Sequence, residues 1–152
     1  MAENNRAGGG NSQWKYGLRW NENLETGHEK IDEQHKELFR LMSDLIEACE
    51  SGSDQETVGR ALNFLTSYTM NHFADEETLM TQNNYPGFGE HKKAHENFKQ
   101  TVTELIGRYQ KSGSTSELSR EVNSIIARWL TTHITLVDRT FADFVRSAEI
   151  TP

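Results

Sequence analysis

Along the chain, the apolar residues fall into four stripes of helical spacing separated by short polar stretches. Ile31, His35, Leu38, Met42, Leu45 and Cys49 step by four and by three, the spacing that lines up one face of a helix. A second stripe runs through Val58, Ala61, Leu62, Leu65, Thr69, His72, Glu76 and Leu79 or Met80. His91, His95, Phe98, Val102, Leu105 and Tyr109 make the third. The fourth contains Val122, Ile125, Ile126, Trp129, His133, Leu136 or Val137, Phe141 and Phe144. No stretch sustains a period of two, so no strand is predicted.

The residues between the stripes agree with four helices. Thr26-Gly-His-Glu29 and Ser53-Asp-Gln-Glu56 have the form of capping boxes, in which a hydroxyl and a carboxylate each satisfy an orphan amide. They predict the starts of the first and second helices. Gly52 suits a left-handed end to the first. Asn83-Asn84-Tyr85-Pro86-Gly87 breaks the second from the third, which is predicted from about Glu90. Lys111-Ser-Gly113 closes the third and Ser114-Thr-Ser-Glu117 opens the fourth. Connections this short between helices of roughly 20–30 residues require antiparallel neighbours. The prediction is all-α, an up-down-up-down antiparallel four-helix bundle over 26–148. Residues 1–13 are expected to be a flexible tail, and 14–25 an N-terminal arm packed along the bundle through Trp14, Tyr16 and Trp20.

Composition narrows the picture a little. A chain of 152 residues suffices for one domain with a sizeable core. Its net charge of −7 offers no basic stripe to meet phosphates, which argues against nucleic acid as a partner. No apolar run approaches the roughly 18 residues of a membrane span, and the first residues lack the apolar region of a signal peptide. The single cysteine, Cys49, excludes an intramolecular disulfide and is expected to be a buried apolar filler in a cytoplasmic protein.

The candidate chemistry lies where the stripes are interrupted. His35, His72, His91, His95 and His133, five of the six histidines, occupy positions that periodicity assigns to the core, and Glu76 follows His72 by one turn. A single inward histidine is ordinarily a hydrogen-bonded core residue. Glu76, inside Asp75-Glu76-Glu77, reads equally as part of a solvated acidic face. The combination is different. His91 with His95, and His72 with Glu76, have the four-residue spacing that sets two ligands about 5–6 Å apart on one helix face. Six such groups buried without partners would each cost several kcal/mol, and a metal removes that penalty. In an up-down bundle all five histidines can meet near one level of one end. His28, outside the pattern, is expected on the first exposed turn.

Four motifs carry a resemblance. Ile31-Asp-Glu-Gln-His35, His72-Phe-Ala-Asp-Glu76, His91-Lys-Lys-Ala-His95 and Trp129-Leu-Thr-Thr-His133-Ile-Thr-Leu-Val-Asp138 are similar to those of the hemerythrins, bacterial single-domain forms among them. The resemblance covers about residues 20–146. It implies a non-haem di-iron centre, with His91, His95 and His133 on one iron and His35 and His72 on the other. Glu76 and Asp138 would bridge the two beside an oxo or hydroxo group. The role of Asp138 rests on the resemblance alone, because five residues carry it about 140° around an ideal helix from His133.

Counting ligands on two octahedral ions then leaves one open position, on the iron with two histidines, as the expected dioxygen site. Five neutral imidazoles replace most of the carboxylates of ferritin-like di-iron oxidases, which favours a carrier over an oxygenase. Phe73, Trp129, Leu130 and Ile134 match apolar oxygen-pocket positions of the family, and serve equally well as plain core. Phe141 stands where relatives often carry tyrosine. The expectation is reversible dioxygen binding for storage, delivery or sensing, with an unidentified protein oxygen acceptor or electron donor as partner. The alternative is a di-iron enzyme reducing peroxide, nitric oxide or dioxygen.

Overall fold

Three of the four helices start where a side chain accepts from one of the first free amides, though not always the residue the capping pattern suggests. The structure, a computed structural model, describes residues 20–150, with side chains described to residue 148. The tail at 1–13, Trp14 and Tyr16 lie outside the described residues.

Helix α1 spans Glu29–Glu50, and its cap is His28, whose Nδ1 accepts from the Ile31 amide at 3.4 Å. The expected Thr26–Glu29 box is not formed. Gly27, at φ 90°, turns the chain so that the Thr26 amide and hydroxyl both donate to Asp32 at 2.8 Å. His28 is therefore a half-buried cap, not a residue of an exposed first turn. Gly52, at φ 78°, ends α1, and the Ser53 amide returns to the Ala48 carbonyl.

Helix α2 spans Gln55–Gln82 and is capped by Asp54, which accepts from Thr57, one residue later than the Ser53 box implied. A carboxylate at the N-terminus accepts from the free amide and opposes the helix dipole more strongly than a hydroxyl. Helix α3 spans Phe88–Ser112, two residues earlier than expected, behind Gly87. Gly113, left-handed at φ 64°, closes it, and the Ser114 hydroxyl then accepts from Glu117 to open α4, both as the sequence implied.

Helix α4 runs without a break over 115–150 but is not uniformly α. Val122–Ile126 and His133–Asp138 are π-wound. In each the amide just past the segment reaches five residues back, Ala127 to Val122 and Arg139 to Ile134. The extra residue shifts the phase of the stripe, and Ile125, expected inward, is exposed.

Helices α1 and α2, α2 and α3, α3 and α4, and α4 and α1 pack as neighbours, which closes a four-helix bundle. Its apolar interior is divided. A long cluster includes Leu38, Phe73, Phe98 and Ile134, and a smaller one contains Ile31, Met80 and Phe141 with Phe88 at its edge. On every helix the inward histidines fall between a residue of the first cluster and one of the second. A polar layer thus crosses the bundle. The chain before α1 is tied to α4, with Arg139 donating to the Asn23 and Glu25 carbonyls and Arg146 to the Thr26 carbonyl. Trp20 packs edge-on against Phe39 at 5.7 Å.

Candidate metal centre

The polar layer consists of His35, His72, Glu76, His91, His95, His133 and Asp138, all buried. They form two overlapping sets. Glu76, His91, His95, His133 and Asp138 each offer one ligand atom within 4.8 Å of the others, and so do His35, His72, Glu76 and Asp138. Both carboxylates belong to both sets.

The distances show how tightly the groups converge. Asp138 Oδ2 lies 2.9 Å from His35 Nε2, and Oδ1 lies 2.9 Å from His91 Nε2 and 3.1 Å from His133 Nε2. Glu76 faces His72 and His95 at 3.2 Å and His91 at 3.3 Å. The Nε2 atoms of His35 and His72 approach to 3.1 Å, and those of His91 and His133 to 3.2 Å. Yet none of the four carboxylate oxygens has a hydrogen-bond donor, and neither has His95 Nε2 a partner. Buried groups of this kind are ordinarily satisfied. Lone pairs converging from two sides on shared carboxylates fit two bridged cations, which would satisfy them all.

Charge follows from the same geometry. Burial alone would lower the His35 and His91 pKa values, but the facing Asp138 and Glu76 outweigh it and hold both at about 9. Burial would raise Glu76, and burial with the neighbouring Glu76 charge would raise Asp138. The surrounding imidazoles hold both carboxyls below their ordinary range instead. The site keeps its carboxylates ionised and its negative charge ready for a cation.

Three residues that periodicity did not single out orient the imidazoles. Gln34 Nε2 donates to Asp75 at 2.9 Å, so its carbonyl must face His72 Nδ1, 2.7 Å away. Glu77 lies 2.9 Å from His95 Nδ1. Both acceptors place the proton on Nδ1 and leave the Nε2 lone pair pointing inward, as a metal ligand requires. Gln34 and Glu77 adjoin His35 and Glu76 in sequence, and that adjacency was their only signal.

Aromatic rings close one side of the layer. Phe73 stacks on His95 at 3.8 Å and Trp129 on His133 at 4.3 Å, both nearly parallel. Leu130 and Ile134 are buried in the same apolar cluster as Phe73. Phe141 meets His91 edge-on at 6.0 Å and packs on Tyr85 at 4.9 Å.

Residues 26–145 match the model of the hemerythrin HHE cation-binding domain. The chain is 33% identical to the bacteriohemerythrin of Stenotrophomonas maltophilia over 130 residues, covering 86% of this chain and 82% of that protein. With the bacteriohemerythrin of Pseudomonas aeruginosa it shares 35% identity over 129 residues, 85% and 82% of the two chains. The myohemerythrin of Theromyzon tessulatum is 32% identical over 116 residues, 76% and 83% of the two. A crystal structure of a hemerythrin with one leucine changed to alanine superposes with a TM-score of 0.69 at 25% identity, covering 78% of this chain and 88% of that one.

Proposed function

The chain belongs to the hemerythrin family, and from that membership we propose that it binds dioxygen reversibly at a non-haem di-iron centre. It is an oxygen-binding protein rather than an enzyme. The observation that carries the proposal is the pair of carboxylates common to both ligand sets, with four buried oxygens lacking donors.

In this reading His91, His95 and His133 hold one ion, and His35 and His72 the other. Glu76 and Asp138, common to both ligand sets, would be shared by the two ions. Seven residues offering only nitrogen and oxygen donors, without a thiolate, suit six-coordinate iron better than tetrahedral structural zinc. Two iron ions held there would supply the electrons that bind dioxygen and take them back on release.

The protein's part is to hold and to exclude. Gln34 and Glu77 fix the tautomers of His72 and His95. Phe73 and Trp129 cover His95 and His133 with apolar faces that keep water and anions away. Phe73, Trp129, Leu130 and Ile134 together are proposed as the walls of the oxygen pocket. A cytoplasmic setting belongs to the same proposal, supported by a lone cysteine, Cys49, that is buried and unpaired.

Iron analysis with optical spectra under air and under vacuum tests the reading. Two irons per chain and a spectrum that reverses over repeated cycles are expected. Zinc as the native complement, or a spectrum that does not reverse, would overturn it.

A further inference from the structure

Outside the polar layer, α2, α3 and α4 line a void of about 10 Å³ that is partly open to the surface, at the lower limit of room for one small molecule. Leu65, Thr66, Thr69, Phe98, Val102 and Ile126 form its walls, with Met70 at the side. Two of these residues carry hydroxyls, yet neither offers its proton to the void. Thr66 Oγ1 donates to the Leu62 carbonyl at 2.8 Å, and Thr69 Oγ1 to the Leu65 carbonyl at 2.7 Å. A water there would find too few partners, and apolar cavities of this kind stay dry and admit apolar gases.

Position gives the void a use. Phe98, one of its walls, stacks on Trp129 at 4.0 Å and meets Phe73 edge-on at 5.9 Å. Those two rings are the ones stacked on His133 and His95. A single aromatic layer therefore separates the void from the imidazoles. Along α4, buried Ile126, Leu130 and Ile134 follow one another by four residues from the void toward the polar layer. On the other side Thr66 and Met70 are half-buried and reach the surface.

We propose that this void is a docking site for dioxygen on its way between solvent and the metal centre, entered past Thr66 and Met70 and left past Phe98 and Leu130. The inference rests on the dioxygen-binding reading for the identity of its occupant. Dioxygen is an apolar diatomic that gains from leaving water for a dry cavity. Water and anions lose their hydrogen bonds there, so the same passage filters what reaches the centre.

Val102 lines the void, lies outside the polar layer and allows changes in both directions. Xenon is the probe for occupancy, by xenon NMR or by crystals held under the gas. Stopped-flow mixing of the reduced, iron-loaded protein with dioxygen gives the rates. Xenon should occupy the void in the parent chain and be lost in Val102→Ile. That variant should slow dioxygen association and dissociation together by about fivefold, equivalent to about 1 kcal/mol on the barrier, with affinity unchanged. Val102→Ala should bind xenon more tightly and speed both rates, which keeps the test decisive if the larger side chain prevents folding. No xenon in the parent, unchanged rates in both variants, or a change in affinity without matched changes in rate would each overturn the proposal. A parent chain that takes up no dioxygen refutes the functional reading instead, and xenon occupancy still decides the void.

Discussion

His133 and Asp138 lie five residues apart on α4, yet Nε2 of the first is 3.1 Å from Oδ1 of the second. In an α-helix five residues would turn the carboxylate about 140° away. The π-wound segment His133–Asp138 takes up the extra residue and returns Asp138 to the face of His133.

That relationship predicts opposite outcomes for two changes at exposed Leu136. Deleting Leu136 lets the segment relax to α-winding, where four residues still return within about 40° of the start. The variant should keep its metal content and the stability of the loaded protein. Inserting one alanine after Leu136 should rotate Asp138 off the face and lower bound metal. Metal analysis of both variants decides, and equal loss in the two would show that the winding does not place Asp138.

The same segment marks the limit of what periodicity can show. Stripes at a period of 3.6 place His35, His72, His91 and His95 inward because α1, α2 and α3 are regular up to those positions, and His133 because the α-wound stretch Ala127–Thr132 just before it is regular. Glu76 falls on the same stripe as His72. Asp138 is invisible to that pattern, since a π-turn leaves no periodic trace, and only the family motif pointed to it. The four-helix architecture was legible from the stripes and the short polar breaks. The first two caps were not, because His28 and Asp54 each compete with a plausible neighbour and local geometry chooses between them. Gln34, Asp75 and Glu77 look like solvated residues in sequence, and only tertiary contact between α1, α2 and α3 gives them their partners.

Glu77 and Gln34 should tune metal affinity without being ligands. Glu77→Ala removes the acceptor from His95 Nδ1 and Gln34→Leu removes it from His72 Nδ1. Each should weaken metal binding by about 10–100-fold, the usual cost of losing a partner that orients a ligating histidine. Glu77→Gln, whose amide oxygen can still accept, should lose less. Anaerobic competition with a chelator measures the affinities. Parent-like values for both truncations would mean that the imidazoles hold their orientation unaided.

Removing the metal should make stability depend on pH with a definite sign. His35 and His91 are held at about 9 in the folded chain against an ordinary 6.5. Their contribution is complete below about pH 6.5 and is lost as pH rises through 9. Glu76 and Asp138 are held below their ordinary values of 4.5 and 3.8, so their contribution is present above that range and is lost as pH falls through the lowered values. The metal-free protein should therefore be most stable between about pH 4.5 and 6.5 and melt earlier on either side. The loaded protein should lose less between pH 6.5 and 9, because its imidazoles are held by metal rather than by protons. Thermal melts of both forms across this range test it, and a metal-free melting temperature that rises from pH 6.5 to 9 would contradict it.

Leu130 separates oxygen binding from mere metal binding. It lies one turn before His133 on α4 and is buried beside the aromatic layer of Phe73, Phe98 and Trp129. None of the seven proposed ligands depends on it for a hydrogen bond. Leu130→Ala should therefore leave iron per chain nearly unchanged while opening space next to the centre. A truncation of this size in a core costs about 2–5 kcal/mol, so the melting temperature should fall even with the metal in place. The decisive change is chemical. Solvent and anions admitted through the gap should convert the oxygenated protein to its ferric form faster than in the parent. Decay of the oxygenated spectrum in air, followed at equal iron content, measures this. An unchanged decay rate alongside a lowered melting temperature would make Leu130 ordinary core and remove it from the oxygen pocket.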